Sequence, residues 1–254
     1  MNHAPILRLR RITNPKTGRA LLLSFTSGLE LGPVSGLSDL PATVCALAET
    51  GLITGAVVNA GAARSLFDRL ADLPCGLIVG LFGGTMLTSR PDHREQVCSL
   101  EHAIRVGADA VLATIGLGSA DESLHLRLCG QIVREAALWG LPVVLRVDTT
   151  QTDARRQYSA TLSGHGARLA YELGADLVVV NYSDSGAAFA DAMLGVSIPV
   201  LIGGGPHMET DEALLSSVAQ AMKGGAQGVA LAAPLFWRDG PTTALNDLAQ
   251  IVYS

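Results

Sequence analysis

The feature that most constrains this chain is a recurring unit: an amphipathic helical pattern, a glycine, and then a short apolar run. The unit occurs at residues 103–113, 136–145, 170–180 and 221–231. Each glycine stands where a helix end needs a left-handed residue, and each following run is typical of a buried parallel strand. Gly107, Gly140 and Gly174 lie 33 and 34 residues apart, which is the length of one strand-plus-helix unit.

Eight such apolar runs alternate with helical patterns, and this alternation predicts an α/β fold, a single (β/α)8 TIM barrel with right-handed crossovers. The predicted strands lie near residues 20–26, 54–59, 76–82, 109–115, 142–148, 176–181, 199–203 and 227–231. Helical patterns include 38–50, 61–72, 119–139, 161–173, 184–194, 208–224 and 241–252. We therefore interpret residues 1–254 as one domain.

Two segments fall outside the repeating pattern. Residues 1–19 contain the turn sequence N-P-K-T-G-R and are predicted to close the bottom of the barrel. Residues 83–97 form a longer excursion after strand 3. Because active sites of this fold gather where the strands end, we interpret this excursion as a candidate lid or interface element.

Composition narrows the class of protein. Charged residues make up only 16% of the chain, which indicates either subunit interfaces or a well-buried fold with Ala-rich outer helices; we expect a homo-oligomer. A net charge of −5 argues against nucleic-acid partners. No apolar stretch approaches the roughly 20 residues that span a bilayer, and no signal peptide is visible. The four cysteines lack metal-ligand or C-x-x-C spacing, so we predict a cytoplasmic protein with reduced core thiols.

Several segments, taken in order and spacing, resemble one enzyme family. The most telling are F-T-S-G-L-E-L-G-P-V-S-G-L (25–37), G-A-D-L-V-V-V-N-Y (174–182) and I-G-G-G-P-H-M-E-T-D-E (202–212). They are similar to class I aldolases of the archaeal fructose-bisphosphate type, whose relatives include the autoinducer-2 phosphate-processing thiolase and aminodideoxyheptulosonate synthase. The resemblance runs from about residue 10 to the C-terminus. It implies a TIM barrel that acts on a small carbonyl compound.

The same resemblance shows where the chain departs from the family's chemistry. The family carries its Schiff-base lysine in strand 6, within V-K-x-N-Y, and the matching residue here is Val179. An imine needs a primary amine that projects into the barrel. The two lysines of this chain, Lys16 and Lys223, fall in the bottom turn and at the end of an outer helix. We therefore expect chemistry that does not use a lysine imine.

Other family positions differ as well. Where relatives have Asp-His after strand 1, this chain has Thr26 and Ser27, and the proton-shuttling Tyr of strand 5 is matched by Asp148. The phosphate-holding Gly-Arg after strand 8 is matched by Ala232 and Ala233. Losing that arginine removes the main charge-assisted phosphate contact, so a phosphorylated and a non-phosphorylated substrate both remain open.

Polar residues at the strand ends supply the candidate catalytic groups. Arg146 and Asp148 alternate with Val147 along strand 5, so both are expected to point inward, with Asp148 as the general base. Arg146 and Tyr182 would polarise a carbonyl or enolate oxygen, and His207 could bind an anion or transfer a proton. The alternatives are a structural Arg146–Asp148 ion pair and an ordinary loop histidine.

The glycines after strand 7 are interpreted as an anion cradle, with close strand–loop packing as the alternative. The candidate substrate-binding residues are Thr26, Ser27, Asn59, Thr114, Asn181, Gly203, Gly204, Gly205, Ala232 and Ala233. The sequence has no metal-ligand spacing, nucleophile elbow or nucleotide-binding loop, so we predict no metal and no cofactor.

Together these features predict a diverged, lyase-like enzyme that acts on a small carbonyl substrate by enol or enolate acid–base chemistry. Carbon–carbon bond formation or cleavage is the first expectation, and isomerisation or cyclisation is the second. A role in specialised biosynthesis is compatible with either. The alternative is a catalytically inactive homologue that binds a metabolite or scaffolds an oligomer.

Overall fold

A closed ring of eight parallel strands forms the centre of the structure, a computed structural model that describes residues 4–34, 36–69, 72–90, 93–149, 158–182, 185–204, 210–232 and 241–254. The strands are β1 (Ala20–Ser24), β2 (Gly55–Asn59), β3 (Gly76–Gly80), β4 (Ala110–Leu117), β5 (Val143–Thr149), β6 (Leu177–Val180), β7 (Val200–Ile202) and β8 (Gly228–Leu231). Each strand pairs with its neighbours in chain order, and β8 returns to β1. The predicted (β/α)8 barrel is confirmed.

Helices alternate with these strands along the chain. They are α1 (Ala4–Leu9), α2 (Ser27–Leu31), α3 (Leu40–Glu49), α4 (Ala60–Arg64), α5 (Leu100–Arg105), α6 (Glu122–Trp139), α7 (Ala160–Leu173), α8 (Gly186–Ala192), α9 (Asp211–Lys223) and α10 (Pro241–Tyr253). Within the described ranges, none of them has the length and apolarity to cross a membrane.

One predicted helix is shorter than expected. The pattern over 61–72 predicted a continuous helix, but α4 ends at Arg64. The next two amides, of Ser65 and Leu66, donate to carbonyls three residues earlier, a tighter winding than that of an α-helix. Leu66, in this tighter turn, is fully buried in the core.

The recurring glycines end helices as their spacing predicted. Gly140 and Gly174 close α6 and α7 with φ angles of 59° and 92°, a left-handed conformation that glycine adopts without steric cost. At the other end of α7, the Ser159 hydroxyl accepts the Leu162 N–H and caps the helix. Local sequence therefore sets both ends of this helix.

Alternation along the strands divides the core into two layers. Val144, Leu177 and Val179 pack inside the barrel, whereas their neighbours Val178 and Val180 pack against the outer helices. Side chains of one strand point alternately to the two faces of the sheet, so Arg146 and Asp148 share the inward side of β5 with Val144. The inward-facing side chains therefore change from aliphatic in the middle of the barrel to charged at the carboxyl ends of the strands.

The N-terminal segment packs at the opposite end of the barrel. Ile12 is fully buried among the interior residues of the barrel. It packs closely against Gly76, the first residue of β3, since a Cβ added to Gly76 would lie only 2.6 Å from the Ile12 Cγ2. The guanidinium of Arg11 forms an ion pair with Asp109 at 2.6 Å. These contacts hold residues 11–12 against the amino ends of the strands.

The excursion after β3 folds back beside the barrel mouth. Residues 82–83 pair antiparallel with residues 95–96 in a separate two-stranded sheet. The Met86 N–H also donates to the Glu30 carbonyl of α2 at 2.9 Å. The excursion is therefore attached to α2 by a backbone hydrogen bond.

Candidate active site

A cavity of about 550 Å³ opens at the carboxyl ends of the strands. It brings together ten of the fourteen predicted site residues: Thr26, Ser27, Asn59, Thr114, Arg146, Asp148, Tyr182, Gly203, Gly204 and Ala232. Asn181 is buried behind the cavity wall rather than in its lining. The other three predicted residues, Gly205, His207 and Ala233, lie outside the described residues.

An ion pair crosses the inner wall of the cavity on β5. The Arg146 Nε lies 2.9 Å from Asp148 Oδ1 and 3.0 Å from Oδ2, so one N–H is shared between both carboxylate oxygens. Their side chains are 29% and 37% exposed, which leaves both accessible from the cavity. The negative charge of Asp148, with a smaller contribution from Glu30, raises the pKa of the Arg146 guanidinium. The geometry suits an acid–base group held in place, and it equally suits a structural ion pair.

Arg146 lies beside Val179, the residue that the sequence analysis matched to the lysine position of the aldolases. Arg146 and Val179 are paired residues in the parallel register of β5 and β6. Paired residues project to the same face of a sheet, and neighbouring strands are about 4.8 Å apart. Val179 is fully buried and its side chain lines the cavity. Lys16 and Lys223 are both exposed, and neither lines the cavity.

A second ion pair at the mouth was missed by the sequence analysis. Arg94, from the excursion, places Nη2 2.9 Å from the Glu30 Oε1 of α2, and both residues line the cavity. The length of the excursion signalled a functional element, but no pattern indicated that Arg94 meets Glu30. The pairing depends on how residues 82–97 fold back, so it follows from tertiary structure.

A buried histidine fixes the excursion to the barrel, and it too was missed. His125 of α6 is 1% exposed, and its Nδ1 accepts the Gly116 N–H of β4 at 3.1 Å. Because Nδ1 is an acceptor, the ring proton is on Nε2, which donates to the Arg94 carbonyl at 3.1 Å. The ring also packs edge-on against Phe82, with centroids 5.9 Å apart. His125 thereby holds the backbone of Arg94 in place.

Uncharged polar groups occupy the wall formed by β1 and β2. The hydroxyls of Ser24 and Thr26 lie 2.9 Å apart, and Asn59 Nδ2 donates to the Thr26 carbonyl at 3.3 Å. All three residues line the cavity, as does the largely buried Ser27. Hydroxyl and amide groups of this kind can bind the oxygens of a hydroxylated substrate.

The first two glycines after β7 have different structural roles. The Gly203 N–H donates to the Val180 carbonyl at 2.9 Å, and a Cβ at this residue would lie 2.5 Å from the Ala230 carbonyl oxygen. Gly203 is therefore required by close packing between strands. Gly204 has a φ of 87°, a conformation that favours glycine. It also packs against Asn181, because a Cβ added to Gly204 would lie 2.9 Å from the Asn181 Oδ1.

Asn181 and Tyr182 support the wall at the end of β6. Asn181 Nδ2 donates to the Thr149 hydroxyl at 3.0 Å, so this amide joins β6 to β5 from behind the cavity. The Tyr182 ring lines the cavity but is only 2% exposed, and it packs edge-on against Phe189 with centroids 5.4 Å apart. Tyr182 is thus held rigidly at the cavity wall.

Two known proteins of similar sequence are enzymes named for phosphorylated small molecules. Over 252 residues, 98% of this chain and 90% of the other, the chain is 28% identical to 2-amino-4,5-dihydroxy-6-oxo-7-(phosphonooxy)heptanoate synthase of Streptomyces griseus. It is also 28% identical over 246 residues to 3-hydroxy-5-phosphonooxypentane-2,4-dione thiolase of Yersinia pestis (strain Pestoides F), covering 97% of this chain and 81% of that protein.

Solved structures agree with these likenesses. The crystal structure of an archaeal fructose 1,6-bisphosphate aldolase matches with a TM-score of 0.86 and 28% identity, covering 98% of this chain and 99% of the other. A second archaeal structure, with its catalytic lysine bound to the carbinolamine intermediate of the substrate, matches with a TM-score of 0.87, 28% identity, and coverage of 98% and 100%.

The resemblance inferred from the sequence is therefore confirmed. The family model described as DeoC/LacD family aldolase matches residues 21–233, which include all eight strands of the barrel apart from the first residue of β1. Such a match extends over most of the chain and over the whole cavity wall from β1 to β8. This chain belongs to the DeoC/LacD family of aldolases.

Proposed function

We propose that this protein is an aldolase-family enzyme that acts on a small carbonyl compound by enol or enolate chemistry without a lysine imine. The observation that carries the proposal is the pairing of Val179 with Arg146 on the cavity wall. A branched hydrocarbon cannot form an imine, whereas the neighbouring guanidinium supplies a fixed positive charge at the same level of the barrel. Electrostatic stabilisation of an enolate then takes the place of a covalent electron sink.

Asp148 is the proposed general base. Its carboxylate removes a proton from the carbon next to the substrate carbonyl, while the C–H electron pair moves into the enolate. The carbonyl oxygen gains negative charge and is stabilised by N–H groups of Arg146. Arg146 bonds Asp148 through Nε, and its Nη2 lies on the Gly204 side of the cavity. The same side chain can therefore position the base and bind the oxygen.

Two outcomes follow from the same enolate. In an aldol reaction the enolate carbon attacks an aldehyde, a carbon–carbon bond forms, and the new alkoxide takes the proton back from Asp148. In an isomerisation of a hydroxyketone, the hydroxyl proton moves to the former carbonyl oxygen within the enediolate, and Asp148 returns its proton to the former carbonyl carbon, so that the other carbon becomes the carbonyl. The hydroxyl groups of the substrate would be bound by Ser24, Thr26 and Asn59, which line the opposite wall. Aldol chemistry is the favoured outcome because the chain belongs to an aldolase family.

Proton exchange tests the acid–base assignment directly. With hydroxyacetone in D2O, the wild-type protein should catalyse exchange of the protons next to the carbonyl, followed by NMR. Asp148→Asn keeps the side-chain shape but removes the base, so exchange should fall about 10²- to 10⁴-fold. Asp191→Asn makes the same change on the exposed surface of α8 and should leave the rate unchanged. Full exchange activity in Asp148→Asn would show that another group is the base.

Borohydride reduction tests the absence of an imine. Wild-type protein incubated with dihydroxyacetone and sodium borohydride should show no added mass at Lys16 or Lys223. Val179→Lys introduces an amine beside Arg146, where burial and the neighbouring positive charge lower an amine pKa, and this variant should be trapped. An adduct at a native lysine would refute imine-free chemistry. If the wild-type protein catalyses neither exchange nor condensation, the alternative of an inactive binding or scaffolding homologue is correct.

A further inference from the structure

The charged groups of the cavity are already balanced. Among its described lining residues, four side chains carry full charges, and they form the pairs Glu30–Arg94 and Arg146–Asp148. All four come from α2, the excursion and β5. This side of the cavity has equal numbers of positive and negative groups, so it has no surplus cation to offer a doubly charged phosphate.

The wall on the side of β7 and β8 has a different chemistry. Its side chains are mainly aliphatic and come from β7, β8 and α9: Ile202, Leu214, Val218, Ala230 and Leu231. Ser217 of α9 is the polar exception, and Ala232 adds a methyl group at the end of β8. None of the described residues on this wall is charged.

Part of this wall lies beyond the barrel interior. Ile202, Leu214, Val218 and Leu231 belong to the core layer between the sheet and the outer helices, yet all of them line the cavity. Ala230, by contrast, belongs to the interior layer. The cavity therefore extends sideways between the ends of β7 and β8 and the inner face of α9. We call this extension the α9 lobe.

We infer that the α9 lobe binds an uncharged, aliphatic end of the substrate, whose other end is the carbonyl group that faces Arg146 and Asp148. This inference rests on the proposed function for the position of the carbonyl group. A phosphate group in the lobe would lose its hydration against Leu214 and Val218 without gaining a cation from the described lining residues. An alkyl chain would instead gain about 0.8 kcal/mol for each buried methylene, which is about a fourfold gain in affinity.

Calorimetric titration of the wild-type protein with 1-hydroxy-2-butanone, 1-hydroxy-2-pentanone and 1-hydroxy-2-hexanone tests this inference. These probes share the hydroxyketone group and differ by one methylene each. Affinity should rise about fourfold per methylene. Dihydroxyacetone phosphate carries the same hydroxyketone group with a phosphate in place of the alkyl chain, and it should bind at least tenfold more weakly than the hexanone.

Two variants locate the effect in the lobe. Val218→Thr is nearly isosteric and adds a hydroxyl group to the wall, so the gain per methylene should shrink towards twofold or less. Val58→Thr makes the same change at a fully buried position on the helix-facing side of β2, outside the cavity lining, and should leave the fourfold gain intact. Ala232→Arg introduces a guanidinium at the wall and should tighten dihydroxyacetone phosphate binding at least tenfold.

The inference is overturned if affinity is flat along the alkyl series, if none of the hydroxyketones binds, or if dihydroxyacetone phosphate binds the wild-type protein as tightly as the hexanone. An equal effect of Val218→Thr and Val58→Thr would also overturn it, since the methylene gain would then not come from the lobe. The proposed function fails by a different measurement, the proton-exchange rate of the wild-type and Asp148→Asn proteins. The two failures are therefore distinguishable.

Discussion

Replacement of His125 by leucine should destabilise the protein, because the histidine ring joins two otherwise unconnected backbone groups. Leucine removes both the acceptor for the Gly116 N–H and the donor for the Arg94 carbonyl. A buried polar group left without its partner costs about 1–3 kcal/mol. The bond to the Gly116 N–H is buried, whereas the bond to the Arg94 carbonyl is only partly buried and water can replace it, so we expect a loss of about 2 kcal/mol. In a chain of this size, this corresponds to a fall in Tm of roughly 4–8 °C.

Thermal and urea unfolding, followed by circular dichroism, would measure this loss. His165→Leu is the matched control, because His165 lies on the exposed face of α7 and the same substitution removes no backbone partner there. His125→Gln should recover part of the stability, since a primary amide can both accept and donate. If His125→Leu is within 1 kcal/mol of the wild-type protein, the tautomer and the two hydrogen bonds assigned to His125 are wrong.

Two further predictions concern titratable groups. Burial raises the pKa of the Cys75 and Cys129 thiols to about 12, so neither should react with a disulfide reagent at pH 8 until the protein unfolds; rapid reaction of the native protein would refute this. His93 Nδ1 donates a hydrogen bond to the Asp121 carboxylate, and this bond raises the pKa of His93 above 6.5. The interaction therefore stabilises the fold below about pH 6.5 and is lost as the pH rises through the folded-state pKa. Asp121→Asn should lower the His93 pKa in an NMR titration, and an unchanged titration curve would contradict the assignment.

Local patterns along the strands predicted much of the candidate site. The alternation Arg146–Val147–Asp148 predicted that both charged residues point inward, and both line the cavity. The match of Val179 to the family's lysine position predicted a hydrocarbon on the inner wall of strand 6, where the structure places it. These predictions succeeded because side-chain direction in a strand is set every second residue by the backbone itself.

Asn181 shows the limit of such patterns. Its position at the end of strand 6 predicted a place in the cavity lining, but the side chain turns to the Thr149 hydroxyl behind the wall. Beyond the last paired residue of a strand, alternation no longer fixes the direction of a side chain. A neighbouring hydrogen-bond partner then decides it.

By itself the sequence determined the eight strands and the glycine-terminated helices, because hydrophobic periodicity and helix-ending glycines act over a few residues. Only the tertiary structure decided that Glu30, Arg94 and His125 meet at the mouth and that the cavity extends under α9. These residues are far apart in the chain, and no local pattern relates them. Their contacts exist because barrel closure and the folded excursion bring separate strand ends to one place.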